Sequence, residues 1–215
     1  MVQDGVILRA SDEDARRIST DPSSTALSVE LLAHSGLCNR GPHHIQSPPP
    51  FKKQMTAAPA KPRIAIGSDH AGFSLKETIR KYLESAGYSV SDLGTSSEES
   101  VDYPDYGKAV GERVVSKQAD LGIAVCGSGI GISIAANKVH GIRAALAHDV
   151  NTARLAREHN DANVLALGGR IVTGEAAIEM VQVFLTTAYL GGRHQRRLDK
   201  ITTIENEERA AAARS

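Results

Sequence analysis

From Pro62 onward the chain repeats one alternation. A short, unbroken apolar run ends in a polar, glycine-containing turn, and a stretch with helical spacing follows. The runs lie within "RIAIGSDHAG", "YSVSDLG", "DLGIAVCGSG", "IRAALAHD" and "NVLALGG". Between the first two, "SLKETIRKYLESAG" places Leu75, Ile79, Tyr82, Leu83 and Ala86 on one helical face. Ser74 and Glu77 have the spacing of a capping box, and Gly87 stands where a helix would stop. Further helices are predicted from about Gly107 to Ser116, over "GISIAANKVHG", and over "VNTARLAREHND" with Asp149 as its cap. Another runs over "TGEAAIEMVQVFLTTAYLGG", opened by Thr173, and a last one starts near Gly192. "TSSEESVDYPDYG" reads as a polar loop. Five strands alternating with helices predict an α/β fold: a doubly wound, five-stranded parallel sheet, Rossmann-like, with helices on both faces. The runs are continuous because strands covered on both sides need apolar residues on both sides.

This pattern spans about residues 62–205, leaving 206–215 as a C-terminal tail. Residues 1–61 differ: "TDPSSTALS", "RGPHHIQSPPPFKKQ" and "TAAPAKP" are rich in Pro, Ser and Thr and predict a disordered extension. Its one helix-like patch is "TALSVELLAHSGL". Asp4, Asp12, Glu13 and Asp14 speak against a transit peptide, and Met55 is a second candidate start. His43 and His44 make a metal-like pair that a Pro-rich tail also produces by chance. With 25 basic and 25 acidic residues the formal charge is zero, which points away from nucleic acid or an anionic membrane as partner. No run approaches the roughly 18 apolar residues of a membrane span. Two cysteines, Cys38 and Cys126, are too few for a disulfide framework and read as free thiols of a cytoplasmic protein.

In an open parallel sheet, ligands bind where the carboxyl ends of strands meet helix starts. The residues there are Ser68-Asp69-His70, Cys126-Gly127-Ser128-Gly129, His148-Asp149 and Gly168-Gly169-Arg170. "GSGIG" has neither the spacing of a dinucleotide loop nor the Gly-Lys-Ser/Thr of a Walker A loop, and a tight turn alone would explain its glycines. Cys126 at its mouth would stand at a helix N-terminus, a setting that favours thiolate, beside N–H groups able to hold an oxyanion. A buried structural cysteine is the alternative. Asp69 beside His70 suits acid–base work or phosphate binding, or else a local cap with a surface histidine. In "GGRHQRR", Arg193 and Arg197 fall at i and i+4 of one helix and suit a phosphate dianion, though a solvated basic face has the same pattern. Arg170, at a strand end, points into the ligand crevice. Within the domain no His and carboxylate cluster has metal-ligand spacing, and no metal or other cofactor is predicted.

Together, "RIAIGSDHAGFSLK", "DYPDYG", "VCGSGIGISIAANKVHGIRAAL", "REHNDANVLALGGR" and "GGRHQRR" resemble the ribose-5-phosphate isomerase type B family, with its galactose-6-phosphate and allose-6-phosphate isomerase relatives. The likeness covers about residues 62–205. It implies a metal-free aldose–ketose isomerase working through an enediolate. By the resemblance Cys126 is the base between C1 and C2, and the Ser128 hydroxyl shuttles the oxygen proton. The N–H groups from Gly127 to Ser133, Gly129 and Gly131 among them, form the anion hole, and Asp69 and His159 open the sugar ring. His70, Arg170, Arg193 and Arg197 clamp phosphate, while Asn160 and Tyr103 line the sugar site. The resemblance further implies a homodimer or dimer of dimers with shared sites, in which His159, Asn160 and Arg170 come from the neighbour. Members that lack the cysteine use a nearby Glu; Ile130 takes that place here, so the chain is of the cysteine type. Ser128 replaces a commoner Thr and keeps the hydroxyl. Ribose 5-phosphate and ribulose 5-phosphate are the expected substrates. A hexose 6-phosphate isomerase and a non-catalytic phosphosugar-binding module are the alternatives.

Overall fold

A computed structural model describes residues 61–214. The helix-like patch, the His43–His44 pair, Cys38 and the candidate start at Met55 lie outside the described residues. The elements follow one another as β1 (Ile64–Ser68), α1 (Phe73–Ser85), β2 (Val90–Asp92), α2 (Tyr103–Val115), β3 (Leu121–Cys126) and α3 (Ile130–Ala136). Then come β4 (Ala144–Leu146), α4 (Val150–Asn160), β5 (Val164–Gly168), α5 (Gly174–Thr186), a 3-10 turn at Gly192–His194 and α6 (Gln195–Ala212). The strands form one parallel sheet in the order β2-β1-β3-β5-β4, in agreement with the predicted fold class.

Side-chain size alternates along the three central strands and decides which helices lie on which face. Ile64, Ile66, Leu121, Ile123, Val125, Leu165 and Leu167 point one way, into a core shared with α1, α4 and α5. Ala65, Ala124, Cys126, Val164 and Ala166 point the other way, toward α2 and α3. The smaller side chains let α2 and α3 approach closely. β3 is buried along its whole length and lies at the centre, whereas three-residue β2 and β4 form the edges. At β4 the side-chain amide of Asn137 replaces a neighbouring strand: it donates to Ala144 O at 2.9 Å and accepts from Ala144 N at 2.8 Å. A free sheet edge is thereby closed.

Several boundaries differ from the sequence expectation. The N-cap of α1 is Gly72, with no side-chain cap, so Ser74 lies inside the helix and Glu77 bonds Lys76 and Arg80 instead. Gly87 does end that helix: its N–H donates to Glu84 O and that of Tyr88 to Leu83 O, the paired bonds of a Schellman stop. α2 starts at Tyr103, not near Gly107, because Pro104 is preorganised for a first turn. Asp149 caps α4 through Thr152, and Thr173 caps α5 through Ala176, both as expected. The segment read as a tail from 206 is helical as far as Ala212, where α6 ends.

Candidate active site

The chain leaves β1 for β2 on one side, while β3 lies on the other, so the crevice at their carboxyl ends is open to a ligand. Three loops meet there backbone to backbone. Asp69 N–H donates to Val125 O at 3.2 Å, Gly169 N–H to Cys126 O at 2.8 Å and Arg170 N–H to Gly127 O at 3.0 Å. The packing leaves no room for a Cβ at several glycines of these loops, Gly72 and Gly129 among them. At Gly72 it would meet Val125 O at 2.6 Å; at Gly129, with φ +79°, it would meet Leu146 Cδ1 at 2.5 Å and the Leu167 carbonyl carbon at 2.9 Å. Gly129 of "GSGIG" therefore serves a tight crossing, as one sequence reading had it for the loop, and the same crossing builds the crevice.

The crevice is a cavity of about 380 Å³ whose lining includes Asp69, His70, Tyr103, Cys126, Ser128 and Arg170. Cys126 is a free thiol, 4% exposed, whose Sγ accepts a hydrogen bond from Gly129 N–H at 3.1 Å. Asp69 Oδ1 accepts from Gly72 N–H at 2.9 Å, which ties the carboxylate to its own turn. His70 Nδ1 lies 3.1 Å and 3.2 Å from the carbonyl and amide of Val101. Its other nitrogen is thereby turned away from that loop. The Arg170 side chain runs past Gly127, where an added Cβ would come within 3.7 Å of its guanidinium carbon. Tyr103 lies against Gly131 at the other wall. Arg170 thus belongs to this chain's own crevice and not, as expected, only to a neighbour's.

The N–H groups from Gly127 to Ser133, expected as an anion hole, are only partly free. Gly129 N–H serves Sγ, Ile130 N–H serves Ser128 Oγ at 3.3 Å, and Ser133 N–H serves Gly129 O at 3.2 Å. Ser133 Oγ is also occupied, donating to Ile130 O. The crevice-lining N–H groups of Gly127, Ser128 and Gly131 have no such partner among the described residues.

His159, Asn160, Arg193 and Arg197 are not in this crevice. The reason is topological: a crossover helix runs antiparallel to its strands. α4 starts at the carboxyl edge of the sheet, and its 11 residues end at His159 and Asn160, about 16 Å away toward the opposite edge. There Arg143, just before β4, donates to the carbonyl oxygens of Asn160 and Asp161. Asn160 borders a separate cavity of about 320 Å³ with Asn137, Arg143 and Ile201. Arg193 lies in the 3-10 turn that precedes α6, so it and Arg197 do not share one regular helix. Both are exposed.

Other residues that hold these groups have no motif of their own. Asp161 ends α4 in a left-handed conformation, with φ 42°, and accepts from both Arg157 and Arg143, which fixes the turn carrying His159. His194 stacks on His159. It stood in plain view inside "GGRHQRR", where only the arginines draw the eye. The one available signal was that an imidazole amid arginines needs a reason to be there. Among the described residues no cluster of three or more His, Cys, Asp or Glu side chains could hold a metal ion. No helix among them is long and apolar enough to cross a membrane.

Comparison with known proteins agrees with this architecture. The ribose/galactose isomerase family profile matches residues 64–201. Ribose-5-phosphate isomerase B of Escherichia coli is 49% identical over 143 residues, 66% of this chain and 96% of that protein. The structure of the Clostridium thermocellum ribose-5-phosphate isomerase B superposes with a TM-score of 0.67 at 52% identity, covering 68% of this chain and 99% of that one. The Mycoplasma genitalium enzyme, solved with bound ribulose 5-phosphate, gives a TM-score of 0.65 at 46% identity over 67% of this chain and 97% of its own. With its fold, its crevice and this similarity in agreement, the chain belongs to the ribose/galactose isomerase family and is an isomerase.

Proposed function

We propose that the chain interconverts ribose 5-phosphate and ribulose 5-phosphate, with Cys126 as the base. The observation that carries this reading is the Cys126 sulfur in a crevice beside three unpaired N–H groups and the side chains of Asp69, His70 and Arg170. The thiolate takes the proton from C2 of the open-chain aldose. The C2–H electrons become the C1–C2 double bond, and the carbonyl pair moves to O1, where the Gly127, Ser128 and Gly131 N–H groups stabilise the negative charge. The same proton returns to C1, the Ser128 hydroxyl carries the O2 proton to O1, and the ketone forms at C2. His70 and Arg170 receive the phosphate. The ribulose 5-phosphate bound to the Mycoplasma genitalium relative supports a pentose phosphate as the substrate. In an assay on ribose 5-phosphate, Cys126→Ala lowers kcat by about 10²- to 10⁴-fold while the fold is kept. Undiminished turnover in the variant would overturn the role of the cysteine. Parallel assays on allose 6-phosphate and galactose 6-phosphate decide between pentose and hexose.

The active unit in this reading is a pair of chains. His159, Asn160, Arg193 and Arg197 complete a neighbour's crevice, since α4 carries the first two away from their own. Tyr103, Ile130, Ile134 and Ile171 expose an apolar surface around the crevice and along α3, which supports an interface there. Mixing unfolded Cys126→Ala and His159→Asn chains and refolding them tests this sharing. Random pairing restores about a quarter of wild-type activity if sites are shared and nothing above the separate variants if they are not.

A further inference from the structure

His194 is 7% exposed, although Arg193 and Arg197 on either side of it are exposed. Its ring lies on that of His159, with centroids 4.3 Å apart and planes 9° from parallel. At its edge, Nε2 accepts from Arg193 Nε at 3.4 Å, which requires a neutral ring protonated on Nδ1. The surroundings favour that state: burial first, then His159, Arg193 and Arg197, push the imidazole below its ordinary value, with Glu158 opposing. The turn that carries the ring is tied to its own backbone and to α4. The backbone N–H of His194 donates to Gly191 O at 3.0 Å, and Leu190 N–H donates to Glu158 O at 3.1 Å.

We propose that His194 is a positioning residue. Its face sets the plane of the His159 imidazole and its Nε2 anchors the Arg193 guanidinium, so that both are presented as one unit. The proposal rests on the roles given above to His159 and Arg193, which act on substrate where His194 does not. A stacked ring removes the out-of-plane freedom of its partner, and misplacing a reacting group by about 1 Å costs up to about a hundredfold in rate.

The test uses the full chain. His194→Ala lowers kcat about tenfold and raises KM for ribose 5-phosphate about threefold. His194→Phe, which fills the same space, restores kcat to within about twofold and leaves KM raised, because the platform returns without the acceptor. In proton NMR the ring protons of His159 move downfield in His194→Ala, having lost the ring current above them, and return upfield in His194→Phe. The double variant His159→Asn/His194→Ala has the kcat of His159→Asn alone, since His194 acts through His159. Wild-type constants in His194→Ala, unmoved His159 resonances, or additive losses in the double variant each overturn the proposal. Should His194→Ala not fold, a kcat loss in His194→Phe as large as its KM effect overturns it. Full activity in His159→Asn is a different result: it removes the role of His159, while the NMR shift still reports the stack.

Discussion

The two edges of the sheet are built from different materials. At the carboxyl edge the crevice around Cys126 is framed by backbone: three loops hydrogen-bonded to one another, with glycines at the closest approaches such as Gly72, Gly129 and Gly169. At the other edge His159, His194 and Arg193 are side chains, placed by the last turn of α4 and the turn before α6. Backbone anchored to central strands has little freedom to relax, so substitutions there act on fold and site together. A side-chain group at helix ends can lose a member with the sheet left intact. In the proposed mechanism, rigidity suits the developing oxyanion, and modular side chains suit a surface that meets a substrate held by a neighbouring chain.

The largest expected effect tests the first half of that contrast. Gly129→Ala forces a left-handed residue into contact with Leu146 and the β5 backbone. It costs about 3 kcal/mol in chemical denaturation and at least about a hundredfold in kcat. Separation of the two losses, with kcat falling and stability unchanged, would break the idea that fold and site are one structure here.

Next come Arg193→Ala and Arg197→Ala at the opposite edge. Each raises KM for the sugar phosphate about 10- to 100-fold, the value of a charge-assisted hydrogen bond, and leaves the thermal midpoint where it was. Steady-state kinetics and a melting curve check both parts. A lowered midpoint would show that these exposed arginines support the fold as well.

A smaller effect is expected at Asp161, which holds the end of α4 at the far edge. Asp161→Ala removes the acceptor of Arg143 and Arg157 and strains the left-handed turn, for a loss of about 2 kcal/mol and a severalfold rise in KM. Asp161→Asn, which tolerates that conformation, keeps most of both. Equal behaviour of Ala and Asn would place no weight on the turn.

The smallest effects appear as acid is added. His194 has a lowered native pKa, so it contributes stability above the unfolded value of about 6.5 that is lost as pH falls through its native value. Glu77 is held at about 2 by hydrogen bonds from Arg80 and Lys76. Its contribution is full above the unfolded carboxylate value and fades as pH falls from about 4.5 toward 2. Thermal midpoints across this range should show two declines. His194→Phe removes the upper one and Glu77→Gln shrinks the lower, to which Asp120, held at about 2 by hydrogen bonds from Arg63, also contributes; a variant that removed both would couple regions that are separate in the fold.

Much of this was legible in the residues. Continuous apolar runs marked the strands, and Asp149 and Thr173 marked helix starts. Ser68-Asp69-His70, the Cys126 loop and Gly168-Gly169-Arg170 were placed together by the rule that strand ends face the ligand. What misled were residues with two meanings. Gly107 sits inside α2, where a Cβ would meet Ile132 O at 2.9 Å, yet in sequence a glycine there reads as a break. Ser74 and Glu77 match a cap by spacing, but Gly72, set by its fit against Val125, starts the helix earlier.

Local chemistry and periodicity therefore determined the parallel sheet, the position of Cys126 in a glycine-rich turn, and the set of charged residues available for a phosphosugar. Only the tertiary structure decided which of them share a crevice. It divided the set by the direction of a helix: α4 runs away from the strand ends, so His159 and Asn160 leave Cys126 behind, while Arg170 follows β5 back to it. It also revealed His194 under His159, a contact between residues 35 positions apart that no local spacing encodes. Periodicity acts over one turn of chain, whereas the site depends on which ends of separate elements the packed core brings together.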